Sequence, residues 1–140
     1  GVIDLYYALQ NNDDEKAVHA YTQWGFANMT KNKLDVLNKW AEFIYSPLME
    51  DRVQKIQQSD SGIYGAQVAA KVHKELKKLG GVKPPKEFVF MDRAAVGLGS
   101  VFMHLKAEVN WHEIFHSLIK NFEIKKMKTR QQKILKLVKL

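Results

Sequence analysis

The spacing of apolar residues predicts a chain built from helices. Apolar residues recur at intervals of three and four in the segments 2–9, 13–25, 30–45 and 63–79. This spacing places them on one side of a helix, whereas a half-buried strand would alternate apolar and polar residues. We see no such alternation and no internal repeat. The pattern therefore predicts an all-α fold, an irregular multi-helix domain of six or seven helices.

Residues that favour helix ends support these segments. Asp13, Thr30 and Asn110 each precede a helical pattern and have side chains suited to capping the first N–H groups. Gly25 follows the second pattern, where a glycine can end a helix. Pro47 lacks the N–H that a regular helix needs, so we expect the third helix to end there.

The segment 87–106 is apolar on nearly all sides. A helix of this kind normally has neighbours all round, so we predict a buried helix at the centre of the domain. Asp92 and Arg93 in its first turns argue against a membrane span. Gly97 and Gly99 do not have the spacing of a phosphate-binding loop. Each costs a helix about 1 kcal/mol relative to Ala, so we expect close approach of another backbone or a bend.

The length indicates a single domain, and the excess positive charge is concentrated at the C-terminal end of the 140 residues. The length predicts one domain, and the absence of cysteine excludes a disulfide scaffold, a thiolate metal site and a cysteine nucleophile. Residues 1–119 hold 14 basic and 14 acidic residues, whereas residues 120–140 hold eight basic residues against Glu123 alone. We therefore predict a neutral helical domain over 1–119 and a basic tail over 120–140, either amphipathic or frayed.

The tail is a candidate for contact with an anionic membrane surface. Its apolar residues group roughly on one side if it is helical, which suits a helix lying on lipid headgroups. A solvated terminus is the alternative. Nucleic acid is not the expected partner, because only three of the 22 basic residues are Arg and the body is neutral. The candidate membrane contacts are Lys125, Lys126, Lys128, Arg130 and Lys133.

One pattern matches a catalytic metal motif. His112-Glu113-Ile-Phe-His116 has two histidines four residues apart, which share a helix face and can both reach a zinc ion, with Glu113 as general base. A third ligand is needed, but Phe122 stands where the extended motif has a histidine. The alternative is a structural helix whose residues Trp111, Ile114, Phe115 and Leu118 pack inward.

A longer stretch resembles a known family. The sequence PPKEFVFMDRAAVGLGSVFMHL, residues 84–105, followed by Asn110-Trp111-His112, resembles the C-terminal end of the UbiB/AarF family of atypical protein-kinase-like proteins. Residues 2–26 resemble the helical segment that follows the metal-binding loop in that family. The resemblance covers residues 1–119 and is strongest over 84–112. Its structural motif residues here are Pro85, Asp92, Arg93, Gly97, Gly99 and Trp111.

The resemblance implies a non-catalytic part of a larger enzyme. The Lys-x-Gly-Gln and Asp-Phe-Gly motifs of the family do not occur here. We thus expect no catalytic, cofactor-binding or metal-binding residue in this chain, and ATP and Mg²⁺ only in a full-length parent. Gly1 in place of an initiator Met adds to the expectation of a fragment.

The resemblance also implies a setting for that parent. It would support ubiquinone or related isoprenoid-quinone biosynthesis, and the partner of this chain would be the kinase-like lobe of the same protein. The expected location is cytoplasmic, at the inner face of a bacterial inner membrane, or at a mitochondrial or plastid membrane. Two alternatives remain open, a small zinc hydrolase using His112, His116 and Glu113, and a free-standing helical adaptor with a membrane-binding tail.

Overall fold

A computed structural model describes residues 1–57, 63–82 and 86–138, and these residues form seven helices and one small sheet. The all-α prediction is confirmed. The helices are α1 (Val2–Asn11), α2 (Asp14–Gln23), α3 (Lys31–Met49), α4 (Ile63–Lys78), α5 (Lys86–His104), α6 (Trp111–Ile119) and α7 (Ile124–Leu137). The strands are β1 (Val53–Lys55) and β2 (Glu108–Asn110).

The sheet was not expected from the sequence. Strands β1 and β2 pair antiparallel with Gln54 opposite Val109, and each has three residues. Three residues are too few to give an alternating pattern that can be recognised. The pairing matters because it brings the chain after α3 beside the start of α6.

The predicted helix caps are confirmed. Asp13, Thr30 and Asn110 each accept a hydrogen bond from the backbone N–H three residues on, at 3.0, 3.4 and 3.0 Å. Gly25 follows α2 with a φ of 85°, a left-handed conformation that favours glycine. The local rules of helix ends therefore hold along the chain.

The predicted end of the third helix at Pro47 is wrong, because α3 continues to Met49. A proline inside a helix leaves the carbonyl four residues earlier without its usual N–H donor. Here the carbonyl is that of Phe43, and the Ser46 hydroxyl donates to it at 3.0 Å. This replacement donor accounts for the helix running on for two more residues.

The core lies between α1, α2 and α3, with two residues from α4. Tyr6 and Leu5 of α1 are the largest fully buried side chains. The other buried members of this cluster are Ala8, Ala17, Ala20, Tyr21, Phe26, Leu34, Val36, Leu37, Ala41, Tyr45, Val72 and Leu76. No side chain of α5 that the structure describes is among them.

The prediction of a buried central helix near residues 87–106 is therefore wrong. Phe90 is 70% exposed and Leu105 is 71% exposed, and most described side chains of α5 face solvent. The end of the helix touches the rest of the molecule through Phe102, whose ring meets that of Trp111 edge-on at 4.9 Å. Apolarity on all sides indicates that a helix needs neighbours, but it does not say that they belong to the same chain.

Candidate functional site

Helix α6 places His112 and His116 side by side. The Asn110 side chain fixes the first turn of α6, and a separation of four residues puts both imidazoles on one face. Their ring centroids are 4.1 Å apart, while Glu113 is exposed. The structure thus brings the two histidines together, as the motif predicts, and leaves the carboxylate in solvent.

Both imidazoles make hydrogen bonds to other helices. His112 Nδ1 lies 2.8 Å from the Leu48 carbonyl oxygen, and His116 Nε2 lies 3.0 Å from the Tyr6 hydroxyl. The Tyr6 hydroxyl also donates to the Leu48 carbonyl at 3.3 Å. We call these four groups the histidine–tyrosine cluster. It joins α6 to α1 and to the end of α3.

The bond to Leu48 fixes one proton of the cluster. A carbonyl oxygen only accepts, so His112 Nδ1 carries the proton that points at Leu48. The Tyr6 oxygen and Nε2 of His116 share one proton across 3.0 Å, and the imidazole tautomer sets which of the two donates. Burial raises the pKa of the Tyr6 hydroxyl, which keeps it protonated in this arrangement.

The end of α3 explains why the Leu48 carbonyl is available. The last four carbonyls of a helix have no partner inside it. Leu48 receives two side-chain donors, and the preceding Pro47 carbonyl accepts from Gln54 Nε2 at 3.1 Å. The cluster therefore also caps the C-terminal end of α3.

In this geometry the two histidines bond α6 to α1 and to the end of α3. A zinc ion bound through Nε2 of His112 would leave the Leu48 bond intact, whereas one bound through Nε2 of His116 would displace the bond to Tyr6. In the part of the chain that the structure describes, no group of three His, Cys, Asp or Glu side chains is placed to hold a metal ion. The expectation that neighbouring side chains pack inward holds for Trp111, which is buried, and for Phe115, which packs against the core. It is wrong for Ile114 and Leu118, which are 45% and 74% exposed.

Sequence reasoning missed Tyr6. Its apolar spacing on α1 predicts a core position, but the bond to His116 spans 110 residues and leaves no local trace. The available signal is chemical, because a buried tyrosine hydroxyl normally needs a hydrogen-bond partner. The same signal applies to Tyr45, which donates to the Val2 carbonyl at 3.0 Å, and to Tyr21, which donates to Asn38 Oδ1 at 3.2 Å.

The family-motif residues fall in three places. Pro85 lies outside the described residues, and Asp92 lies in α5 without a described side chain. Arg93 is exposed. Trp111 is buried at the start of α6, and its indole N–H donates to the Gln54 carbonyl of β1 at 2.8 Å. Trp111 therefore ties α6, β1 and the end of α5 together.

The two motif glycines of α5 face open space. A Cβ added at Gly97 or Gly99 would meet no atom of the rest of the described molecule within 4 Å. The expected close approach of another backbone is therefore not found among the described residues. The space beside both glycines remains open to a partner.

One side of α5 is a stripe of exposed apolar side chains. On a helix, its members fall within an arc of about 100°. We call it the α5 surface, and it consists of Phe90, Met91, Leu98, Val101 and Leu105. Gly97 lies at the edge of this arc. Phe102 lies beside Met91 at the other edge of the arc. Met103 and Gly99, which are only partly exposed, lie on the other side of the helix with Val96, which is 62% exposed.

Helix α7 is exposed along all of its described length. It includes every tail residue proposed for membrane contact, namely Lys125, Lys126, Lys128, Arg130 and Lys133. Lys126 Nζ lies 2.6 Å from Glu123 Oε1, just before the helix. Within the described residues, no helix combines the length and apolarity needed to cross a bilayer.

Comparison with known proteins adds no relative. No family model, curated protein or solved structure matches this chain. Function is therefore argued from the α5 surface, the histidine–tyrosine cluster and the quoted resemblance.

Proposed function

We propose that this chain is the non-catalytic C-terminal helical portion of a UbiB/AarF-like atypical kinase or ATPase. In this proposal, the α5 surface packs against the large lobe of the kinase-like part. Two things support it, the resemblance over residues 84–112 and the exposure of α5. The parent enzyme would hold ATP and Mg²⁺ and would serve quinone biosynthesis at a membrane, as the resemblance implies.

The single observation that carries the docking proposal is the α5 surface. Monomeric proteins rarely expose large contiguous apolar patches, and such patches mark interaction sites. Five large apolar side chains on one side of a helix, from Phe90 to Leu105, fit this description. The open space beside Gly97 would let the backbone of a partner approach closely.

The two alternatives have less support. A zinc hydrolase would need a third ligand, and no group of three His, Cys, Asp or Glu side chains among the described residues is placed to hold a metal ion. A free-standing adaptor would be expected to cover its own apolar helix, whereas α5 is mostly exposed. A docking module accounts for both observations, because its histidines would connect helices of the fold and its apolar helix would bind a partner.

A binding experiment tests the proposal. The chain is mixed with the kinase-like domain of a UbiB-family protein prepared without its own C-terminal helices, and complex formation is measured by calorimetry. We expect binding, and we expect Leu98→Ser/Val101→Ser to weaken it by at least about tenfold, because central apolar contacts dominate interfaces. The control is Leu118→Ser, which changes an apolar residue of α6 that is even more exposed than Leu98 and Val101.

Two results would contradict the proposal. One is the absence of a complex, and the other is equal weakening by the α5 and α6 variants. Circular dichroism of each variant establishes that it is folded. Addition of ATP with Mg²⁺ to the chain alone should produce no binding heat.

A further inference from the structure

Helix α7 has no packing that would account for its stability. None of its described residues is buried, and its apolar residues Ile124, Met127, Ile134 and Leu135 are all exposed by more than a third. A helix of 14 residues is marginal in water without tertiary contacts. A partner outside this chain would account for it.

The N-terminal end of α7 does not supply the missing stability. Its first turn contains Lys125 and Lys126 and no acidic residue, and positive charges there oppose the helix dipole. Glu123 stands at the N-cap but its side chain makes no capping bond. An anionic surface along the helix would offset these charges.

The two faces of α7 are chemically distinct. At about 100° per residue, an arc of about 100° holds the apolar side chains of Ile124, Met127, Ile134 and Leu135 and of Val138 just after the helix. Gln131 also lies in this arc, and Leu137 lies outside it. The opposite face holds Lys125, Lys126, Lys133 and Lys136. Lys128 and Arg130 lie at the two borders of the apolar arc, and α7 contains no acidic residue.

We propose that α7 lies flat in the headgroup region of an anionic lipid bilayer, with its apolar arc in the acyl boundary. Lysines bordering an apolar arc can keep their charge among headgroups while their stems remain in apolar surroundings. Six basic residues without an acidic one favour anionic over neutral lipid. This inference does not depend on the proposed docking of α5.

Other polyanions fit α7 less well. Nucleic acid would use the basic face and leave the apolar arc in water. An acidic protein groove would cover both faces, but protein interfaces are anchored mainly by Trp, Tyr and Arg, and α7 has no aromatic residue and one Arg. A bilayer uses both faces and needs no specific anchor.

Vesicle flotation tests the proposal with the full chain. The vesicles are made of phosphatidylcholine alone or with about 30% phosphatidylserine. We expect binding to the anionic vesicles at least about tenfold tighter than to the neutral ones. We also expect it to weaken when the salt rises from about 0.1 M to about 0.5 M, because salt screens the charges.

Three variants separate the two faces of α7. Ile134→Ser/Leu135→Ser breaks the apolar arc at constant charge, and we expect at least tenfold weaker binding. Lys128→Gln/Arg130→Gln removes the border charges, and we expect a similar loss on anionic vesicles. The matched control is Leu137→Ser, because Leu137 is 75% exposed and lies on the basic face, so we expect little change.

The contradicting outcomes are equally specific. Equal binding to neutral and anionic vesicles, or no binding to either, would overturn the proposal. Loss with the charge variant but not with Ile134→Ser/Leu135→Ser would indicate simple polyanion binding and would also overturn it. Loss with Leu98→Ser/Val101→Ser alone would assign vesicle binding to the α5 surface instead. Failure of the α5 docking experiment would leave these results unaffected.

Discussion

Helices α1 and α5 are both rich in apolar residues, yet α1 is buried in the core and α5 is mostly exposed. Leu5 of α1 is 1% exposed and packs in the core with α2 and α3, whereas Leu98 of α5 is 59% exposed. Apolar content is therefore not what makes a helix central. What differs is whether this chain supplies the neighbours. The α5 and α7 helices have the composition of contact surfaces, and the rest of the chain leaves those surfaces open.

The largest effect should come from making the same substitution in both helices. Leu5→Ala leaves a cavity in the core, and we expect the free energy of unfolding to fall by about 2–5 kcal/mol. Leu98→Ala removes a solvent-exposed side chain, and we expect a change within about 0.5 kcal/mol. Urea unfolding of the two variants measures the difference. Equal losses would show that α5 is buried in solution and would contradict the difference between α1 and α5.

Alkaline pH should destabilise the packed helices. Burial raises the pKa of Tyr21 and Tyr45 above the ordinary tyrosine value of about 10. Their stabilising contribution is complete below that ordinary value and is lost as the pH rises through the higher values of the folded state. We expect the free energy of unfolding to fall above about pH 10, and to fall less in Tyr45→Phe. A pH series of urea unfolding curves measures this, and identical pH profiles for the two proteins would contradict it.

Removing one hydroxyl should weaken the histidine–tyrosine cluster. Tyr6→Phe keeps the ring in the core but takes away the partner of His116 Nε2 and one donor to Leu48. We expect a loss of about 1–2 kcal/mol in thermal or urea unfolding, since buried polar groups lose their partners. Tyr64→Phe is the matched control, because Tyr64 is half exposed on α4. Equal effects of the two variants would argue against the cluster.

Zinc titration distinguishes a structural cluster from a metal site. We expect no stoichiometric zinc in the purified, untagged protein, because the described residues offer no third ligand beside the two imidazoles. His112→Ala should then cost about 1 kcal/mol of stability through the lost bond to Leu48. One zinc per chain, lost in His112→Ala, would contradict this and favour the hydrolase.

Local rules predict much of this fold, and long-range contacts account for what they miss. Asp13, Thr30 and Asn110 cap helices as expected because a cap depends on the next three residues. The pairing of His116 with Tyr6 depends on how three helices pack, which no short window of sequence contains. The same is true of the strand pair. The continuation of α3 past Pro47 is different, because the bond from Ser46 to the Phe43 carbonyl is local and the general rule for proline in helices does not include it.

In the candidate site, too, local spacing predicts some features and long-range contacts determine the others. Spacing places His112 and His116 on one helix face, but only the structure shows that the end of α3 and Tyr6 bond them. The apolar run of α5 predicts a need for neighbours, and the structure shows that this chain does not provide them. A sequence pattern indicates the chemistry of a surface, but the structure is needed to show which residues contact that surface.

Hydrogen exchange of α5, alone and with the kinase-like domain, tests the central claim most directly. At concentrations where the chain is monomeric, we expect fast exchange in α5 and slow exchange in α1, α2 and α3, because stable amides lie in packed elements. Addition of the kinase-like domain should slow exchange in α5 and leave the core helices unchanged. Exchange in α5 as slow as in α1 in the isolated monomer, or no change in α5 on mixing, would contradict the account.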